Sequence, residues 1–200
     1  AATQPQYIAS ITGVAGTYHG SKVADDIQNN SLTRTAFNIL GDYIIGPLIA
    51  LGQFKPELEI DFDASMKSLT QTGSNTFNAT VAQQVVKDGV LASTENCNKN
   101  LKQKDSKGIH YYSWTGVAQA TNALDIDTIL MQLGPLSYGS KDNDGMVSRC
   151  SAFMGKVIHD QYKLNHTDLA NMMFGLKGVF APDPVALYRQ HANRLKLEGL

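Results

Sequence analysis

Two short polar strings carry the residue types of acid–base chemistry: Asp142-Asn143-Asp144-Gly145 and Asn165-His166-Thr167-Asp168. Asn-Asp-Gly makes a tight turn, and after a strand end it can present a carboxylate at a sheet edge; an ordinary surface turn has the same letters. His166 is one of five histidines, with His19, His110, His159 and His191. Most such residues brace a fold or sit in solvent. The setting of His166 is different, in a polar loop that follows a charged segment and precedes the apolar run Leu169-Ala-Asn-Met-Met-Phe-Gly-Leu176. An acid followed later in the chain by a histidine supplies two members of a nucleophile–acid–base relay. Asp168 stands two residues past His166, and alternate side chains diverge in an extended loop. It is therefore better placed to hold a cation or to cap a helix beginning at Leu169.

Oxygen ligation is the second chemistry to consider. Leu124-Asp125-Ile126-Asp127 sets two carboxylates close together. With Asp168 they could supply the hard ligands that calcium prefers, although no EF-hand loop is present. A nucleophile is missing. No serine has the Gly-x-Ser-x-Gly surroundings of a strand–turn–helix elbow, and neither cysteine has a neighbouring base. The two cysteines, Cys97 and Cys150, come without CxxC or HExxH, which argues against zinc. They leave two readings: one disulfide in an exported protein, or two buried thiols.

These groups need elements to position them. Residues 7–14 alternate apolar and small side chains and predict a short buried strand, which Gly13, Gly16 and Gly20 then break up. Ser21 caps a predicted helix reaching Ile27, with Asp25 and Asp26 in its early turns. Residues 36–51 are the most apolar and have helical spacing, yet Gly41, Gly46 and Pro47 interrupt them. That segment reads either as a core helix or as a mobile amphipathic flap. Helix is predicted over 63–86 with a break near Gly73, and strand over the aromatic residues 110–114. Residues 145–157 are ambiguous. Residues 183–195 predict a helix with Asp183 as cap and Pro184 in its first position. Strands alternating with helices give an α/β fold.

Composition narrows the function classes. The 200 residues are 42% hydrophobic and 18% charged with a net charge of −1, which suits one globular domain and not a nucleic-acid clamp. The apolar stretch around residues 43–51 is too short to span a bilayer, so no transmembrane segment is expected. No charged-then-apolar leader opens the chain, an arrangement compatible with an exported protein stripped of its leader or with a truncated one.

Several longer strings are specific. They are Asn143-Asp-Gly-Met-Val-Ser-Arg-Cys150, Met154-Gly-Lys-Val-Ile158, Tyr162-Lys-Leu-Asn-His166-Thr-Asp168 and the stretch from Asp183 to Lys196 containing HANRLK. With Tyr111-Tyr-Ser-Trp114 and Leu124-Asp125, they resemble the C-terminal part of the secreted, calcium-dependent triacylglycerol lipases of the Pseudomonas, Burkholderia and Acinetobacter group. The likeness covers nearly the whole chain, weakly before about residue 60 and strongly after residue 108.

The resemblance implies an α/β-hydrolase fold of which this chain is the C-terminal portion, lacking the N-terminal strands and the nucleophile elbow. Residues 1–200 would then form one incomplete domain with a lid at about 36–52, which favours the flap over the core helix. Asp144 would be the triad acid and His166 the general base. Calcium would be held by the carboxylates of Asp125 and Asp168 and the carbonyls of Met172 and Leu176. Relatives carry glutamine where Met172 stands, a change of little consequence if the carbonyl is the ligand. The disulfide would join Cys97 to Cys150. The family's usual Pro-His is replaced here by Thr17-Tyr18-His19. The implied substrate is an acylglycerol at an oil–water interface, and the implied partners are the missing N-terminal portion and a dedicated foldase. Secretion through the periplasm is implied as well. Without its nucleophile the chain alone should not turn over esters. An alternative is a non-catalytic, calcium-stabilised fragment serving as a binding or structural module.

Overall fold

The computed structural model describes residues 7–38, 61–122, 127–172 and 175–200. Three parallel strands form its sheet: β1 (Ser10–Val14), β2 (His110–Gly116) and β3 (Lys156–Tyr162), in the order β1-β2-β3. Ser10 pairs with His110 and Val14 with Trp114, while Tyr112 pairs with Lys156 and Trp114 with His159. The middle strand, His-Tyr-Tyr-Ser-Trp-Thr-Gly, is buried from Tyr111 to Gly116. Aromatic and β-branched side chains covered on both faces are what a central parallel strand requires.

Helices fill the crossovers. Between β1 and β2 lie α1 (Lys22–Asn29), helical residues 31–38, α2 (Phe62–Leu69), α3 (Gln71–Thr80) and α4 (Gln83–Lys87). Between β2 and β3 come α5 (Asp127–Met131), α6 (Leu133–Tyr138) and a 3₁₀ turn at Cys150–Ala152. After β3 come α7 (His166–Leu169) and α8 (Pro184–Leu197). The chain is thus an α/β protein. None of the described helices is long and apolar enough to cross a membrane.

Local rules account for most boundaries. Ser21 caps α1 by accepting from the Ala24 N–H at 3.3 Å, and Asp183 caps α8, accepting from the Val185 N–H at 3.0 Å. The break predicted near Gly73 falls at Thr70, which closes α2 and caps α3 through a 3.0 Å bond from the Gly73 N–H. The first strand begins at Ser10 rather than residue 7. The ambiguous stretch before residue 157 resolves into the 3₁₀ turn and the start of β3. The expected flap falls mostly outside the described residues; of it, only residues 36–38 belong to them, and Phe37 packs against Leu130 and Met131.

α8 packs against one face of the sheet. Trp114 meets Tyr188 and His191 edge-on at 5.5 and 5.2 Å, and Tyr112 meets His191 at 4.9 Å. Glu198, at the end of α8, accepts from the Tyr112 hydroxyl at 2.5 Å and from Gln103 Nε2 at 3.0 Å. Cys97 and Cys150 are joined as a disulfide, with Cα atoms 4.9 Å apart across 53 residues of sequence.

Candidate active site

The carboxyl edge of a parallel sheet is where strands end and loops converge, and ligand sites gather there. His166 lies four residues beyond β3. Asn165 turns the chain there: its side-chain oxygen accepts from the Asp168 N–H at 2.8 Å, while Asp168 Oδ2 accepts from the Asn165 N–H at 3.1 Å. This reciprocal capping box starts α7 at His166. The cap is therefore Asn165, not Asp168, and the helix begins three residues earlier than Leu169. The reason is that an N3 carboxylate satisfies the cap's amide better than it could satisfy amides further on.

The Asn-Asp-Gly turn follows α6, not a strand end, so the carboxylate reaches the sheet edge from a helix-borne loop. Asn143 is fully buried. Its Oδ1 accepts from the Gly145 N–H at 2.9 Å and its Nδ2 donates to Ser140 O at 2.8 Å. Gln119, from the loop after β2, donates to the carbonyls of Asn143 and of Lys141, the latter at 3.2 Å. Gly145 has φ +100°, and a Cβ there would come within 2.6 Å of Met131, so a glycine is required.

Out of this turn Asp144 meets His166. Asp144 Oδ2 lies 2.9 Å from His166 Nδ1, and the His166 N–H donates to the Asp144 carbonyl, also at 2.9 Å. The other carboxylate oxygen accepts from the N–H groups of Met146 and Val147 at 3.0 and 2.8 Å. Asp144 is fully buried, whereas the His166 side chain remains 36% exposed. A carboxylate can only accept, so Nδ1 carries the proton and Nε2 presents a lone pair. Burial disfavours the imidazolium, but the Asp144 charge and its hydrogen bond outweigh that and hold the His166 pKa above its ordinary value.

His166 forms part of the wall of a cleft of about 350 Å³. Most of the lining is apolar, from Val23, Ile27, Phe37, Leu130, Met131 and Met146, with Ala15 to Thr17 of the loop after β1 closing one side. Methionine walls adapt to chains of varied shape. The arrangement can accept a proton at Nε2 beside a long apolar group.

Behind the site, two buried carboxylates converge. Asn165 Nδ2 donates to Asp127 at 3.3 Å, while its backbone N–H donates to Asp168; Asp127 is fully buried and Asp168 only 2% exposed. Asn165 thus bonds two carboxylates withdrawn from water, one through its side-chain amide and the other through its backbone N–H; carboxylate oxygens are the hard donors a divalent cation takes. Asp125 lies outside the described residues, and among those described no three His, Cys, Asp or Glu side chains form a metal cluster. Met172 stands nearby, its N–H donating to Thr167 O at 3.0 Å and its carbonyl accepting from Gly175 at 3.1 Å; Leu176 follows, 37% exposed.

Sequence reasoning assigned no role to Asn143, Asn165 or Gln119, and none to Arg149. The first two announce themselves as turn and cap residues. Gln119 carries no local signal, because Lys141 and Asn143, whose carbonyls it bonds in the turn, are more than twenty positions away.

A scan against family models finds no match. Among individual proteins, the chain is 38% identical over 206 residues to a triacylglycerol lipase of Vibrio cholerae, covering all of this chain and 62% of that relative. It is 32% identical over 219 residues to a triacylglycerol lipase of Pseudomonas fragi, of which it covers 69%. A triacylglycerol lipase of Burkholderia plantarii is 29% identical over 231 residues, with 62% of it covered. The chain therefore spans about three-fifths to two-thirds of the length of these relatives.

Proposed function

This chain belongs to the triacylglycerol lipase family, and on that premise we propose that it supplies the acid and base of a serine-dependent lipase with an α/β-hydrolase fold. The carrying observation is the 2.9 Å contact between the buried Asp144 carboxylate and His166 Nδ1, on the wall of an apolar cleft. Asp144 fixes the imidazole in the tautomer that leaves Nε2 free and stabilises the imidazolium formed on proton transfer. The serine comes from a part of the protein beyond this chain. His166 Nε2 takes the serine proton as the hydroxyl oxygen attacks the ester carbonyl of an acylglycerol. The same proton then passes to the leaving glyceride oxygen, an acyl-enzyme forms, and water attacking through His166 releases the fatty acid. The apolar cleft receives the acyl chain.

The carboxylates of Asp125 and Asp168 and the carbonyls of Met172 and Leu176 would hold calcium, which would supply a fixed positive charge beside the turn that carries His166. Asp168 and Asn165 are joined in one capping box, so restraint on Asp168 restrains the start of α7. A lid over residues 36–52, a foldase partner, docking to the N-terminal portion, action at a lipid–water interface and secretion through the periplasm complete the proposal.

A serine-directed fluorophosphonate tests it. The full-length protein should take up one label per molecule and lose esterase activity, while this chain alone should take up none. Stoichiometric labelling of this chain alone would show that the nucleophile has been misassigned.

A further inference from the structure

Arg149 grips two carboxylates from different parts of the fold. Its Nε and Nη2 donate to the two oxygens of Asp142 at 2.7 and 3.1 Å, and its Nη1 donates to Asp160 Oδ2 at 2.7 Å. Its backbone N–H also donates to Asp142 O at 3.1 Å. Lys99 Nζ approaches the same Asp160 oxygen at 2.7 Å, and the next residue, Cys150, is bonded to Cys97. Both Arg149 and Asp160 are largely withdrawn from water, their side chains 16% and 8% exposed. A charge-assisted fork of this kind is directional as well as strong.

The two ends of the grip matter. Asp142 opens the loop that presents Asp144, and Arg149 closes it; between them Asn143 bridges to Ser148 and the Asp144 N–H donates to Val147 O at 3.1 Å. Asp160 belongs to β3, the strand that runs directly into the turn carrying His166. One guanidinium thus ties the loop bearing the acid to the strand delivering the base. We propose that Arg149 is a positioning residue, holding the Asp144 loop in register with β3 so that the carboxylate and the imidazole meet. The inference rests on the reading of Asp144 and His166 as acid and base.

Lysine cannot reproduce the grip, because a point charge reaches one carboxylate where the planar fork reaches two. The test compares Arg149→Met, Arg149→Lys and Asp142→Ala in the full-length protein, with Asp144→Asn as reference. The readings are kcat and KM on a soluble short-chain nitrophenyl ester, per active site counted with the phosphonate. Arg149→Met should lower kcat by about 10–100-fold, the scale expected for a misplaced catalytic group, and leave KM unchanged. Arg149→Lys should recover part of that loss. Asp142→Ala, at a half-exposed position, opens the same link from the other end; it should lower kcat in the same direction, and it decides the matter if Arg149→Met does not fold. Amide exchange at Met146 and Val147 should quicken relative to β2 in each variant. Wild-type kcat per counted site in both Arg149→Met and Asp142→Ala overturns the inference, whatever happens to Tm. Full turnover in Asp144→Asn instead removes the acid–base reading, and the positioning role with it.

Discussion

His166, in the turn beyond β3, and His191, on the helix packed against Tyr112 and Trp114 of β2, have surroundings that make different things of one ring. His166 donates from Nδ1 to a buried carboxylate at 2.9 Å and keeps Nε2 toward the apolar cleft. His191 uses both nitrogens. Arginine can only donate, so Nδ1 accepts from Arg194 Nη1 at 2.9 Å and Nε2–H donates to Thr12 Oγ1 at 2.7 Å. Tyr112, Trp114 and Tyr188 crowd this corner. Burial, reinforced by the Arg194 charge, holds the His191 pKa below its ordinary value, opposite to the direction at His166. An imidazole becomes a base when one nitrogen meets a carboxylate and the other meets a cavity. Given two partners and an aromatic shell, it becomes a brace.

The sharpest way to break this contrast is to truncate each ring in the full-length protein. His166→Ala should lose kcat on the order of 10⁶-fold with little change in Tm. His191→Ala should keep kcat per active site and lose about 2 kcal/mol of stability, since a buried ring and its hydrogen bonds go together. Ester turnover and thermal melts read both effects. Turnover surviving His166→Ala, or vanishing per site in His191→Ala, ends the distinction.

Calcium removal sharpens it at the next scale. With calcium at a hundredfold excess over its Kd, linkage gives about 2.7 kcal/mol, and a chelator should therefore lower Tm by roughly 5–10 °C. Amide exchange should rise around residues 165–169 and leave 184–197 as they were. Asp168→Ala should remove the response to calcium. A melt indifferent to chelator would count against the metal.

The smallest expected effect is that of pH on the brace. The native chain binds a proton at His191 less readily than the unfolded chain does. Its contribution to stability is therefore present above the ordinary imidazole value of about 6.5 and is lost as pH falls through the lower native value. His191→Gln should flatten the loss of stability on the acid side, measured by denaturant melts at stepped pH. His19, also buried with a lowered pKa, keeps some slope in the variant. Identical slopes in variant and parent would mean that His191 does not carry this dependence.

The parts legible in the sequence were those fixed by nearby residues. Ser21, Asp183 and Pro184 mark helix starts because a cap bonds amides within three positions, and the aromatic run at 110–114 marks the central strand because burial on both faces demands it. Residues 156–162 gave less away: exposed Lys156 and His159 alternate imperfectly with half-buried neighbours on an edge strand. The meeting of Asp144 with His166 followed from resemblance, not from local pattern, since their 22-residue separation is closed only by the fold. The Arg149 fork was invisible for the same reason. A salt link between a turn and a strand leaves no period in the letters.

The pairing of β1 with β2 has a cost in time. Ser10 finds its partner at His110, a hundred residues later, and the third strand arrives only at Lys156. On the ribosome, the ladder between β1 and β2 cannot close until the hundred residues separating Ser10 from His110 have been made. Such distant parallel pairings are slow to nucleate and leave sticky strands waiting for partners. The exposure of β1 during that wait is a hazard written into the topology itself.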